Sequence, residues 1–238
     1  MSKYNILVNG ISVEAVWNKL GGDSGAQRFL SDEVVVVEKS LFQQLQRMSL
    51  PPLDNSMLYM EMGMKDQYVK ALAGKKMPTQ DPNLWDLLVL PDVTCNMVMA
   101  KFQELGLKTS GWCKDWDANL DPEYEGHKTQ NPYLLGFARS LTGESTGESA
   151  NDRWKKFQEG NQGYNDPILR DGLLLVLGVY LTTGKRELLN IVNWTRTRSR
   201  FRSGDVVGFD ANLGEVRVSG DYPDYASPDA RVRPEVSA

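Results

Sequence analysis

The sequence predicts an α+β protein whose strands gather at its C-terminal end. Two observations carry this. Caps and helical spacing mark three helices between residues 94 and 182, and only short strands broken by Gly, Asn and Asp turns follow them. The composition of the 238-residue chain, 41% hydrophobic and 24% charged, is that of a globular protein able to build a core without staples.

Residues 1–84 are read as a separate N-terminal α/β segment, and residues 85–238 as the main domain. In the first, "YNILVNG" and "EVVVVEKS" have the β-branched character of strands. "SVEAVWNKLGGDSGAQRFL" starts as a helix that stops at Gly21–Gly22, and "SLFQQLQRM" is helical up to Pro51–Pro52. "MKDQYVKALAG" is a helix closed by Gly74. Met57, Met60, Met62 and Met64 read as core filler, or as an adaptable contact surface.

In the main domain "WDLLVLP" is a strand, and Thr94 caps a helix with Val98, Phe102 and Leu105 on one face, ended by Gly106. "NPYLLGFARS" is a strand. The polar run "TGESTGESANDRWKKFQEGNQG" becomes a helix through Trp154 and Phe157. "ILRDGLLLVLGVYLTTGKREL" is the most apolar helix, expected at the centre of the core because Leu173, Leu174, Val176, Leu177 and Tyr180 leave little polar face. The strands "VNWTRTRSRF", "VVGFD", "GEVRVSG" and "RVRPEVS" close the chain.

A net charge of −4 and a pI near 5.2 argue against nucleic acid as the partner. No run approaches the ~18 apolar residues of a membrane helix, so no membrane insertion is expected. The start "MSKYNILVNG" lacks the layout of a signal peptide. A cytoplasmic location, or a place in a phage or surface assembly, is expected. Cys95 and Cys113 are the two cysteines and His127 the one histidine. Without an export signal the thiols are expected free, and the ligand count falls short of a zinc site, so neither a metal nor a cofactor is expected. No Gly-rich phosphate loop, "GxSxG" or "HExxH" occurs. Asp115 and Asp117 are paired acids that nothing else singles out for acid–base work.

The C-terminal strand "WTRTRSRF" carries the strongest functional signal. In an extended chain Trp194, Arg196, Arg198 and Arg200 share one face, and Thr195, Thr197, Ser199 and Phe201 the other. Three arginines are not buried without partners. They face a ligand, or carboxylates such as Asp221, Asp224 and Asp229 neutralise them. "GDYPDYASPDA" sets Tyr222 and Tyr225 in a Pro-containing loop, and Tyr and Arg are enriched at binding hot spots. The competing readings are a salt-bridged sheet surface without function and tyrosines packed on the sheet. Phe209, Val216, Val218, Val232 and Val236 alternate as core positions.

The order of these elements and the words "VTCNMVMAKFQELG", "SANDRW", "DGLLLVLGVYLTTGKREL", "WTRTRSR", "VVGFDANLGEVRVS" and "ARVRPEVSA" resemble the C-type lectin-like fold. More narrowly, they resemble its formylglycine-generating-enzyme type, as in variable proteins of diversity-generating retroelements and in uncharacterised bacterial proteins. The resemblance implies a C-type lectin-like domain over residues 85–238, with two helices packed on a small twisted antiparallel sheet. It implies a solvent-facing C-terminal surface that binds a protein or other macromolecule, made of Trp194, Arg196, Arg198, Arg200, Arg202, Asp210, Asn212, Tyr222, Asp224 and Tyr225. It implies a structural last strand in which Arg233 is an internal, hydrogen-bonded arginine. After Trp194 the chain has no Lys, Gln, Met or Trp, residue types that randomised adenines in AAC or AAT codons cannot encode; Glu is a further such type and occurs at Glu215 and Glu235, positions read as framework. The fold's other branches offer two alternatives. A formylglycine-generating-enzyme-like enzyme would need C-terminal cysteines, and none follows Cys113. A calcium-dependent carbohydrate-binding lectin would draw on Asp210, Asn212, Asp221 and Asp224, but the "EPN" and "WND" signatures are absent.

Overall fold

The computed structural model describes residues 7–8, 11–12, 50–73, 84–111, 113–125, 131–139, 144–145, 147–161, 163–184, 194–212, 214–226, 230–232 and 235–237. The chain divides into two compact units, Met1–Leu45 and Gln46–Ala238. In the first, β1 (Leu7–Val8) and β2 (Ile11–Ser12) form an antiparallel hairpin, within the expected "YNILVNG" strand and just after it. The calls on "EVVVVEKS", on the helix after residue 12 and on "SLFQQLQRM" lie outside the described residues.

The second unit, Gln46–Ala238, includes α1 (Asn55–Glu61), a helix the Met-rich stretch concealed. The Asp54 side chain caps it by accepting from Met57 N, and Leu58 and Tyr59 are fully buried against the rest of the core. Its Asn55 and Tyr59 reach the backbone of β3 (Leu84–Val89). The methionines divide: Met64 is buried, whereas Met57 and Met60 are exposed. Next comes α2 (Lys65–Leu72), as its spacing predicted.

Thr94 caps α3 (Cys95–Glu104) through Met97 N, and β4 (Lys108–Gly111) and the single turn α4 (Trp116–Asn119) follow. Then come β5 (Tyr133–Ala138), β6 (Glu144–Ser145), α5 (Ala150–Gln158) and α6 (Leu169–Thr182). Ser149 caps α5 through Asp152 N. α6 is buried along nearly its whole length, as expected, with Tyr180 and Thr182 partly exposed. It packs against α1, α3 and the following strands. The chain ends with β7 (Trp194–Arg200), β8 (Val206–Asn212), β9 (Glu215–Asp221), β10 (Ala230–Val232) and β11 (Glu235–Ser237).

The class is α+β, with six helices among the described residues and two sheets in this unit. A three-stranded antiparallel sheet has the order β11-β5-β3. The larger sheet, β4-β9-β8-β7-β10-β6, is mixed and not purely antiparallel: β4 runs parallel to β9, and β10 parallel to β7. Neither of those pairs is joined by a tight turn, which would have forced antiparallel pairing. Phe209, Val216, Val218 and Val232 are all buried, as the alternation predicted. The side chains of Val236 and Arg233 lie outside the described residues. No helix among the described residues is long and apolar enough to cross a membrane.

Candidate functional site

Strand β7 is covered on both faces. Its hydroxyl face turns to the core: Thr197 Oγ1 donates to Val207 O at 2.7 Å, and Ser199 Oγ accepts from Leu169 N at 2.8 Å. The arginine face lies beneath α5 and the segments flanking it. Arg196 is 1% exposed and Arg200 3% exposed, while Trp194 and Arg198 are half-buried.

Neutral acceptors receive these arginines. Arg196 donates from Nη1 to Glu148 O at 2.7 Å and from Nη2 to Tyr225 O at 3.0 Å. Arg198 Nη1 donates to Asn165 Oδ1 at 2.6 Å and its guanidinium lies 5.2 Å from the Phe157 ring centroid. Arg200 Nη2 donates to Asn151 Oδ1 at 2.7 Å, over the Tyr124 ring at 5.1 Å. A guanidinium carries five donors on a long apolar stem and stacks on aromatic rings, so a roofed position suits it. Burial pulls both Arg196 and Arg200 below the usual arginine pKa; Asp221 and Asp166 oppose this at Arg196, and Tyr124 and Asp224 at Arg200. Asp221 and Asp224 thus act on the arginines through space, while Asp229 lies outside the described residues. The Nε atoms of Arg196 and Arg200 and Nε1 of Trp194 are buried without a hydrogen-bond partner among the described residues. Trp194 reaches its position because Gly208 on β8 has no side chain: a Cβ there would sit 2.3 Å from the indole.

The expectation of one exposed patch is therefore corrected for Arg196, Arg200 and Asp210. Asp210 is 8% exposed and accepts two bonds from Arg217, at 3.0 and 2.6 Å. Alternation showed which residues share a face, but not that α5 would lie over it. The exposed members are Arg202, Asp224, Tyr222 at 76% and Tyr225 at 55%. The Asn212 side chain lies outside the described residues.

The tyrosine turn is held from outside itself. Asn151 N donates to Pro223 O at 3.1 Å, Asn151 Nδ2 to Asp224 Oδ1 at 2.6 Å, and Arg196 supplies the bond to Tyr225 O. Since Val206 pairs with Asp221, the β7–β8 turn carrying Arg202 lies at the same end of the sheet as Tyr222.

A buried polar cluster escaped sequence reasoning. On α6, Arg170 Nε donates to Asp171 Oδ1 at 2.9 Å and Nη2 donates to Tyr133 Oη, which itself donates to Asp171 Oδ2 at 2.7 Å. Burial works against the Arg170 charge, but Asp171 and Tyr133 more than offset it and its pKa is raised. Nearby, Glu125 is 6% exposed and borders a cavity of about 100 Å³ with Cys95, Asp117 and Arg170. The only sign of the cluster in sequence is the Arg-Asp pair interrupting an apolar helix.

Burial pushes Glu125 up to about 6 from an ordinary 4.5, against a hydrogen bond from Ser199, and its Oε1 has no partner among the described residues. Its folded pKa lies above its unfolded one, so the folded state holds more protons between about 4.5 and about 6. The buried carboxylate thus costs stability above about pH 6, and the cost is relieved as pH falls towards 4.5. Glu125→Gln is expected to stabilise the fold at neutral pH by about 2 kcal/mol and to flatten the pH dependence of the melting temperature across that window. A variant that melts lower than the parent at neutral pH would refute this.

Both cysteines are free thiols. Burial raises their pKa values, with Asp117 adding at Cys95 and Asp115 at Cys113, so neither is an activated nucleophile. Asp115 accepts from Ala118 N and Asn96 Nδ2, and Asp117 from the N–H groups of Cys95 and Asn96, so both acids serve helix starts. Among the described residues no three of His, Cys, Asp and Glu cluster to hold a metal. His127 lies outside them.

No protein-family model, curated protein or solved structure matches the chain.

Proposed function

We propose that the Gln46–Ala238 unit is a binding module that recognises a protein through the Tyr222–Tyr225 turn and the adjoining Arg202 turn. The observation that carries it is the division of labour at the tyrosine turn. Its backbone is anchored by Arg196 and Asn151, while Tyr222 and Tyr225 stay 76% and 55% exposed. A rigid backbone presenting exposed aromatic rings loses little entropy on binding and offers large contact area. Substituting those side chains leaves the bonds to Pro223 O and Tyr225 O in place, so the surface can vary without cost to folding.

This is the property a variable protein of a diversity-generating retroelement needs, on the C-type lectin-like scaffold that the sequence words suggest. What supports that scaffold is the end of the chain: α5 and α6 are followed by the β7-β8-β9 meander and by a last strand paired with β5. The variable positions in this reading are Arg202, Tyr222 and Tyr225; Asp224, whose side chain accepts from Asn151, belongs to the framework with the buried arginines.

Two measurements test it. Tyr222→Ala and Tyr225→Ala are each expected to change stability by no more than about 0.5 kcal/mol. A displayed library randomised at Arg202, Tyr222 and Tyr225 is expected to stay folded and to yield binders to a test protein, whereas one randomised at Arg196 and Arg200 is not. Sequencing the DNA beside the gene is expected to find a near-copy of the C-terminal codons differing only at adenines, next to a reverse transcriptase. Its absence removes the retroelement reading; loss of folding in the first library removes the binding surface.

A further inference from the structure

From Asn119, the last residue of α4, to Glu125 the chain lies as a strap across the end of β7. Two backbone bonds fasten its start. Arg202 N donates to Asn119 O at 2.9 Å and Asp121 N to Arg200 O at 2.8 Å, on either side of a bridge between Leu120 and Phe201. The strap then turns, with Tyr124 N donating to Asp121 O and Glu123 N to Asp121 Oδ1, both at 3.1 Å. It returns to β7 at Glu125, which takes a hydrogen bond from Ser199. Between these two fastenings the Tyr124 ring lies 5.1 Å from the Arg200 guanidinium and 5.0 Å from the Trp154 ring of α5. The strap thus shares in covering Arg200.

The second fastening depends on the charge of one side chain. Glu125 is 6% exposed, and its Oε1 has no partner among the described residues. The groups around the carboxyl are Ser199 and Arg198 of β7, Arg170 and Asp171 of α6, Cys95 of α3 and Asp117 of α4. Arg170 is engaged by Asp171 and Tyr133, Arg198 by Asn165, and Asp117 by the N–H groups of Cys95 and Asn96. A neutral carboxyl is tolerated in such a place, whereas an ionised one with an unsatisfied oxygen is strongly disfavoured. The cavity of about 100 Å³ beside it leaves the side chain room to move.

Arg200 links the strap to the tyrosine turn. Its Nη2 donates to Asn151 Oδ1 at 2.7 Å, and Asn151 holds the turn through Pro223 O and Asp224 Oδ1. Glu125, Tyr124, Arg200, Asn151 and the turn therefore form one continuous chain of neighbours. We infer that the 119–125 strap is a proton-controlled clasp: it closes over Arg200 while the Glu125 carboxyl is protonated, and lets the tyrosine turn loosen when that carboxyl ionises. Control of recognition by the clasp rests on the binding role proposed above for that turn. The clasp's hold on the turn does not, and it is read without a ligand.

The direction follows from the proton. Burial raises the Glu125 carboxyl to about 6 from an ordinary 4.5. The closed strap therefore keeps the proton more tightly than the released one, and its advantage is lost as pH rises through about 6. Release is about eightfold more favoured at pH 7.5 than at pH 5.

Amide exchange in the full chain, corrected for its intrinsic pH dependence, is the test. Protection of Asn151, whose N–H reaches Pro223 O, and of Tyr225, whose N–H reaches Tyr222 O, is expected to fall about eightfold from pH 5 to pH 7.5. In Glu125→Gln it is expected to stay at the low-pH level throughout. In Tyr124→Ala the turn is expected to be loose at both pH values, with the difference between them gone. His127→Gln removes the one histidine, which titrates in the same range, and is expected to keep the parent's change. If Glu125→Gln fails to fold, the carboxyl carbon resonance of Glu125 and the amide resonance of Asn151 in the parent decide, and are expected to titrate with one midpoint. No change in the parent, the same change in Glu125→Gln or Tyr124→Ala, its loss in His127→Gln, or two separate midpoints each overturn the inference.

Discussion

Replacing Asp166 by alanine is expected to destabilise the Gln46–Ala238 unit by about 3–5 kcal/mol. Asp166 and Arg153 are each 4% exposed, and they meet through two bonds, Nε to Oδ2 at 2.7 Å and Nη2 to Oδ1 at 2.5 Å. Arg153 also donates to Gly163 O at 3.2 Å and to Glu148 Oε2 at 3.3 Å, and stacks 4.8 Å from the Tyr164 ring. Burial works against its charge, but Asp166 and Glu148 hold its pKa above the ordinary value. Without Asp166 a buried guanidinium loses its main counter-charge, and Glu148, shared with Lys156, replaces it poorly. Urea denaturation of Asp166→Ala checks this, with Arg153→Met/Asp166→Leu as the control. The double variant removes both charges and keeps most of the volume, so it should cost far less than the single one. A single-variant loss under about 1 kcal/mol would mean that the pair behaves as a surface salt bridge.

Arg196→Ala is expected to cost about 3 kcal/mol. It removes the donors to Glu148 O and Tyr225 O and empties the space of a side chain that is 1% exposed. The effect should approach that of Phe209→Ala, about 3–5 kcal/mol through cavity formation, and far exceed that of Tyr225→Ala. Thermal melts of the three variants decide the matter. If Arg196→Ala is as mild as Tyr225→Ala, the arginine is a surface residue and the roofed β7 described above is wrong. If Arg196→Ala also loosens the tyrosine turn, seen as faster amide exchange at Tyr225, the framework arginine orders the recognition surface.

Much of the α+β layout was legible because it depends on features local to one element. The Thr94 cap, the apolar run from Leu173 to Val179, and the Phe209, Val216 and Val218 alternation each reveal an element and its inner side within a few residues. The strand "WTRTRSR" likewise showed that its arginines share one face, and the Tyr222–Tyr225 stretch read correctly as an exposed turn. Helix α1 was missed because "DNSMLYMEMG" is short and its methionines, apolar on every side, blur the period.

The sequence by itself determined which side chains travel together on each strand and helix. Tertiary structure alone decided what covers them. The partners of Arg196 lie 48 and 29 residues away, at Glu148 and Tyr225, and Asn55 and Tyr59 seal β3 from 29 to 33 residues away. Periodicity belongs to a single element, whereas burial of a face belongs to the element that lands on it. An arginine serves either outcome, since its five donors suit a ligand's acceptors or the fold's own carbonyls equally well. That is why an exposed arginine face and a roofed one read alike until α5 is in place.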